Sequence, residues 1–118
     1  MSLTVTPQTR IYLALEAVDM RLGYNGLSTR VQHVLRLDPF SGALFLFRGK
    51  RGDRLKALVW DGSGLCLFYK RLQSGRFVWP GTQDGVLRLT SAQLAMLIEG
   101  LNWKQAIIHT EPVTPTMA

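Results

Sequence analysis

A chain of 118 residues that is 47% hydrophobic and 19% charged has the size of one globular domain and the composition of a folding one, which excludes a wholly disordered chain. Its apolar runs fall far short of the roughly 20 residues a membrane helix needs, and its single cysteine excludes an internal disulfide. The formal charge of +6 makes polyanions candidate partners, and where that charge lies decides its weight.

In chain order, the N-terminal MSLTVTPQTR carries no signal-peptide pattern, and RIYLAL (10–15) predicts a short strand. Leu27, Val31, Val34 and Leu35 then recur at helical spacing. Asn25 is the expected N-cap of that helix, and Pro39 is expected to stop it near Leu37. Three strands follow at 43–48, 54–60 and 65–72, joined by the glycine-containing turns GKRGD and DGSG. A short strand is expected at 77–79 and another at 85–89. Thr90 and Gln93 form a capping-box pattern before Leu94, Leu97, Ile98 and Leu101, and Gly100 is the expected stop.

The predicted architecture is α+β, an antiparallel meander of about four to six strands packed with two short helices. Residues 1–108 are read as a single domain, and 109–118, with two prolines and little to bury, as a disordered tail.

The charge is not spread evenly. Residues 48–76 hold Arg48, Lys50, Arg51, Arg54, Lys56, Lys70, Arg71 and Arg76 against only Asp53 and Asp61, so the whole net charge of +6 lies there. The rest of the chain is balanced. A confined excess produces a directional field that draws polyanions, whereas an even one serves solubility alone.

Other chemistries find less support. His33, His109 and the one cysteine have no zinc-ligand spacing, so no metal or other cofactor is expected. Cys66 lies in an apolar run and reads as a buried, inert thiol. The glycines at 49 and 52 do not match a P-loop, which needs a Lys-Ser/Thr pair opening a helix. Asp38, Asp61 and Asp84 stand in turn sequences, and Asp53, among five cations, is expected to pair with one of them. No nucleophile elbow or acidic centre is evident, so no catalytic residue is assigned.

The basic segment therefore carries the functional reading. Alternation places Arg54, Lys56, Leu58 and Trp60 on one face of a strand, with Arg48, Lys50 and Arg51 at the adjoining tip and Lys70, Arg71 and Arg76 in the next hairpin. Eight cations on one surface would bind phosphates through counterion release, and Trp60 and Tyr69 are candidate base-stacking residues. The competing reading is that these cations blunt edge strands and keep the sheet soluble. Phe45, Phe47, Phe68, Phe77 and Trp79 are read as core.

Three segments carry a resemblance: VDMRLGYNGL (18–27), the long block DPFSGALFLFRGKRGDRLKALVWDGSGLCLFYKRLQSGRFVWP (38–80) and LTSAQLAMLIEGLNW (89–103). They closely resemble the TnpB accessory-protein family, encoded by the second open reading frame of bacterial insertion-sequence family sixty-six. The resemblance implies a cytoplasmic bacterial protein of a mobile element whose strand-transfer chemistry belongs to a separate transposase. It transfers no catalytic residues. It implies DNA, the transposase and other proteins of the element as partners, with a homodimer as a further candidate, no membrane, and nucleoid association if DNA is bound. Two readings follow: a DNA-binding module using the basic hairpin surface, or an interaction subunit that grips the transposase or itself without touching DNA.

Overall fold

In the computed structural model, residues 3, 5–81 and 85–104 are described; Asp84, His109 and the whole segment 109–118 lie outside them. The described elements are β1 (Ile11–Ala14), α1 (Tyr24–His33), β2 (Leu44–Arg48), β3 (Arg54–Trp60), β4 (Leu65–Arg71), β5 (Val86–Leu89) and α2 (Ser91–Ile98). The fold is α+β, as expected.

The five strands form one sheet in the order β4-β3-β2-β1-β5. The meander accounts for only β2, β3 and β4. β1 lies parallel to β2, with α1 as the crossover between them, and β5 closes the other edge antiparallel to β1. A parallel pair is buried on both faces, and this matches the unbroken burial of Ile11–Ala14 and of Leu44–Phe47.

Both sheet faces are covered. On one, Leu13, Leu46, Leu55 and Ala57 pack with Leu94 and Leu97 of α2, with Phe77 and with Trp103. On the other, Tyr12, Phe45, Phe47 and Leu58 pack with Leu27, Val31 and Leu35 of α1. The core expectation holds for Phe45, Phe47 and Phe77, while Phe68 and Trp79 are half-buried against it.

Several local expectations change. The N-cap of α1 is Gly23, without a side-chain bond, and Asn25 lies inside the first turn. The helix ends at His33, not near Leu37, because Arg36 takes a left-handed φ of 60°. The Leu35 and Leu37 amides then turn back onto the carbonyls of Arg30 and Val31, both at 3.0 Å. Residues 77–79 do not form a strand: Pro80 offers no N–H, and Phe77 and Trp79 turn their rings together, 5.7 Å between centroids, against the core. The Val78 carbonyl accepts from Trp103 Nε1 at 2.6 Å, which fastens this segment over the sheet.

The capping box at α2 is present in full. Thr90 Oγ1 accepts from the Gln93 amide at 3.1 Å, and Gln93 Oε1 accepts from the Thr90 amide at 2.8 Å. Gly100 follows with φ of 77°, where a left-handed residue ends the helix.

Candidate nucleic-acid interface

The β2–β3 hairpin tip, residues 49–53, is held from two sides. The Val18 amide donates to the Arg48 carbonyl at 2.9 Å, and Met20 packs so closely on Gly49 that a Cβ there would meet its Cγ at 2.9 Å. On the other side, the carbonyl of Gly52 accepts from the Phe77 amide at 3.0 Å and from Trp79 Nε1 at 3.1 Å. Gly52 has φ of 82°, and a Cβ would approach Arg76 Cδ to 3.2 Å. The two glycines thus serve the turn and its packing. Lys50 and Arg51 stand exposed on the tip, with Arg76 alongside Gly52.

Behind the tip, Arg54 on β3 pairs directly opposite Arg71 on β4, and Lys56 opposite Tyr69. Period-two alternation puts all four on one face. Two like charges in register repel, by a fraction of a kcal/mol up to about 1 kcal/mol. Among the described residues neither Arg54 nor Arg71 has a carboxylate within salt-bridge distance. With Tyr69 they line a cleft of about 230 Å³. Arg54 Nη1 donates to Tyr69 Oη at 3.4 Å, and Arg54 Nε is buried without a partner.

The eight sequence-predicted cations do not form one surface. Lys56 is only 6% exposed; its ammonium donates to the Leu22 carbonyl at 2.7 Å and lies 4.7 Å from the centre of the Tyr69 ring. Lys70 falls on the opposite face, where it donates to the Ile98 carbonyl at 2.8 Å and sits 3.8 Å from Glu99, at the negative end of α2. Arg48 also falls on that face, with its guanidinium 5.1 Å from the Trp79 ring centre, and burial lowers its pKa from the ordinary arginine value. Lys50, Arg51, Arg54, Arg71 and Arg76 remain together at one end of the molecule.

The two stacking candidates separate as well. Tyr69 is 49% exposed beside Arg54 and Arg71. Trp60 lies six residues along β3 from Arg54, about 20 Å at strand rise. There it meets Phe40 edge-on, with 5.5 Å between ring centroids.

The acidic residues near the tip are disposed differently from expectation. Asp53 forms no ion pair among the described residues, and its Oδ1 is buried without a partner. Its backbone has a role instead, accepting from the Leu72 amide at 2.9 Å. Asp19, which lines a second cavity at the tip with Lys50, Arg51 and Arg54, is bonded to Arg21 at 2.7 Å. That hydrogen bond, aided by the Arg21 amide and by the nearby Lys50, holds its carboxyl down at about 2. Asp38 and Asp61 make the expected turns, accepting from the amides of Phe40 at 2.9 Å and of Ser63 at 3.0 Å.

Cys66 is half-buried rather than buried. Its thiol donates to Asp61 Oδ2 at 3.4 Å, and that bond to a carboxylate raises its pKa, which disfavours the reactive thiolate. His33 is exposed on α1. Among the described residues no helix is long and apolar enough to cross a membrane.

Sequence reasoning missed two features of this end of the molecule: the Gly52 carbonyl as an anchor, and Leu22 as the partner of Lys56. A half-buried indole needs an acceptor, so Trp79 was the available signal for the first. The second has no local signature.

The comparisons agree with this assignment of segments. The model of the family described as IS66 Orf2-like protein matches residues 9–107. The chain is 47% identical over 95 residues to the uncharacterized protein y4hO of Sinorhizobium fredii (strain NBRC 101917 / NGR234), covering 80% of this chain and 83% of the relative. It is 45% identical over 104 residues to the uncharacterized protein y4jC of the same organism, covering 88% and 87%. No solved structure matches it. This chain belongs to the IS66 Orf2-like family, accessory proteins of insertion-sequence transposition.

Proposed function

We propose that this protein is a non-catalytic accessory factor of transposition that grips DNA phosphates with the sheet end around the 49–53 hairpin. The observation that carries the reading is Arg54 set opposite Arg71 without a carboxylate partner among the described residues. A fold that accepts this repulsion is suited to an external anion, because local rules are most often broken at functional sites. Lys50, Arg51 and Arg76 extend the same end, and the doubly anchored tip presents them without a large ordering cost on binding. Arg48, Lys56 and Lys70 are engaged within the fold and play a supporting part at most.

Phosphate contacts position a protein and do not read bases, so binding is largely independent of sequence. The test is titration of element-end and random duplexes over a salt series. Five accessible cations give a slope of log K against log salt of about −3 to −5. Reversing Lys50 and Arg51 to Glu lowers affinity at least about tenfold on both duplexes. No binding at low salt, or binding indifferent to the reversal, would refute the reading.

A second reading, contact with the transposase of the element, is favoured by Phe40, 49% exposed and packed on Trp60 at the sheet end away from the cations. The two readings are compatible, since they use opposite ends of β3. Co-purification of the two proteins after nuclease treatment, lost in Phe40→Ala, is the result that supports it.

A further inference from the structure

We infer that the cleft between Arg54 and Arg71 takes one unpaired nucleotide, its base stacked on Tyr69 and its phosphate on the arginines, so that the protein prefers single-stranded or unpaired DNA over duplex. This rests on the DNA-binding reading and deepens it.

Tyr69 is the feature that a phosphate-binding surface alone does not need. It is an aromatic ring at the edge strand, 49% exposed, flanked by two guanidinium groups. The usual occupants of such an edge are charged side chains that keep it soluble. The ring is also fixed in place. The Lys56 ammonium lies 4.7 Å from its centre, and the Arg54 guanidinium donates to its hydroxyl at 3.4 Å. Lys56 is itself locked by its 2.7 Å bond to the Leu22 carbonyl. A platform held from behind by a buried cation loses little freedom when a base lands on its exposed side.

The size and chemistry of the cleft agree. About 230 Å³ falls below the range of roughly 300–1,000 Å³ typical of drug-sized ligand sites. That leaves room for a single planar ring system. Arg71 is exposed, and Arg54 reaches the cleft from directly across the strand pair, so a phosphate next to the stacked base meets both cations. Bases in a duplex are already stacked and do not offer a face to Tyr69, whereas every unpaired base does. The preference is therefore for strandedness and not for sequence.

The test compares three probes with the full chain at one low salt concentration: an oligothymidylate, an abasic strand of the same length, and a duplex. The base-bearing single strand is expected to bind about tenfold more tightly than the abasic strand, a size set by one stacked base. Tyr69→Ala should erase that difference, while Tyr69→Phe keeps the ring and the difference. Equal binding of the oligothymidylate and the abasic strand to the unaltered protein overturns the inference while DNA binding stands. Failure of all three probes to bind overturns the DNA reading and this inference with it. Because the base-bearing and abasic strands are compared on the unaltered protein, the outcome does not depend on any variant folding.

Discussion

Trp79 Nε1 donates to the carbonyl oxygen of Gly52 at 3.1 Å, across 27 residues of chain. This bond, with that of the Phe77 amide to the same oxygen, fixes the tip of the basic hairpin against a segment beyond the next hairpin. Trp79→Phe removes the donor but leaves the Phe77 amide in place, so it should cost about 0.5–1.5 kcal/mol in urea unfolding. Gly52→Ala forces an L-residue into a φ of 82° and should cost about 1–2 kcal/mol. Arg76 must also shift to admit the new Cβ.

Lys56 and Lys50 separate structure from binding. Lys56→Met leaves the Leu22 carbonyl without its donor, a loss of about 1–3 kcal/mol of stability. Because that ammonium is already bonded inside the fold, the salt slope of DNA binding should stay unchanged. Lys50→Gln, on the exposed tip, should leave stability unaltered and reduce the slope by about 1. Urea melts and salt-dependent titrations of both variants check the contrast.

The Asp19–Arg21 pair gives an acid signature. Asp19 has its carboxyl lowered from 3.8 to about 2, first by the Arg21 side chain. A carboxyl whose folded pKa lies below its unfolded one contributes fully above the unfolded value, and that contribution is lost as pH falls through about 2. NMR titration of the Asp19 carboxyl should show a midpoint near 2, moving up toward 3.8 in Arg21→Ala.

Thr90→Ala removes the hydroxyl that caps α2 and should cost about 1 kcal/mol, measured by thermal or urea unfolding. DNA affinity should be untouched, since α2 lies on the sheet face away from Arg54, Tyr69 and Arg71.

Where a residue's structure depends on its neighbours in sequence, the amino-acid pattern was often sufficient, although it misplaced both ends of α1 and the strand expected at 77–79. Alternation of apolar and polar residues placed β3 at Arg54–Trp60 and assigned Arg54 and Lys56 to one face, and Thr90 with Gln93 announced the start of α2. Where it depends on chain brought from far away, the pattern failed. Lys56 shares a face with Arg54, yet the Leu22 segment, 34 residues earlier, covers one and not the other. The parallel pairing of β1 with β2 needs the α1 crossover, and four consecutive buried residues read equally well as any core strand. Trp60 and Tyr69 looked alike as exposed aromatics of basic strands. Their separation follows from register, which pairs Tyr69 with Lys56 beside the arginines and Trp60 with Leu65 at the far end.

The basic stretch divides in the same way. Its eight cations, less Asp53 and Asp61, account for the net charge of the chain, but five of them, Lys50, Arg51, Arg54, Arg71 and Arg76, stay together and unpaired with carboxylates among the described residues. The most direct measurement of whether that end meets DNA is an NMR chemical-shift map of the labelled protein titrated with a short duplex at low salt. The account predicts perturbations concentrated at Lys50, Arg51, Arg54, Arg71 and Arg76, with Phe40 and Trp60 silent. Perturbations centred on Phe40 and Trp60, or none at saturating DNA, would contradict it.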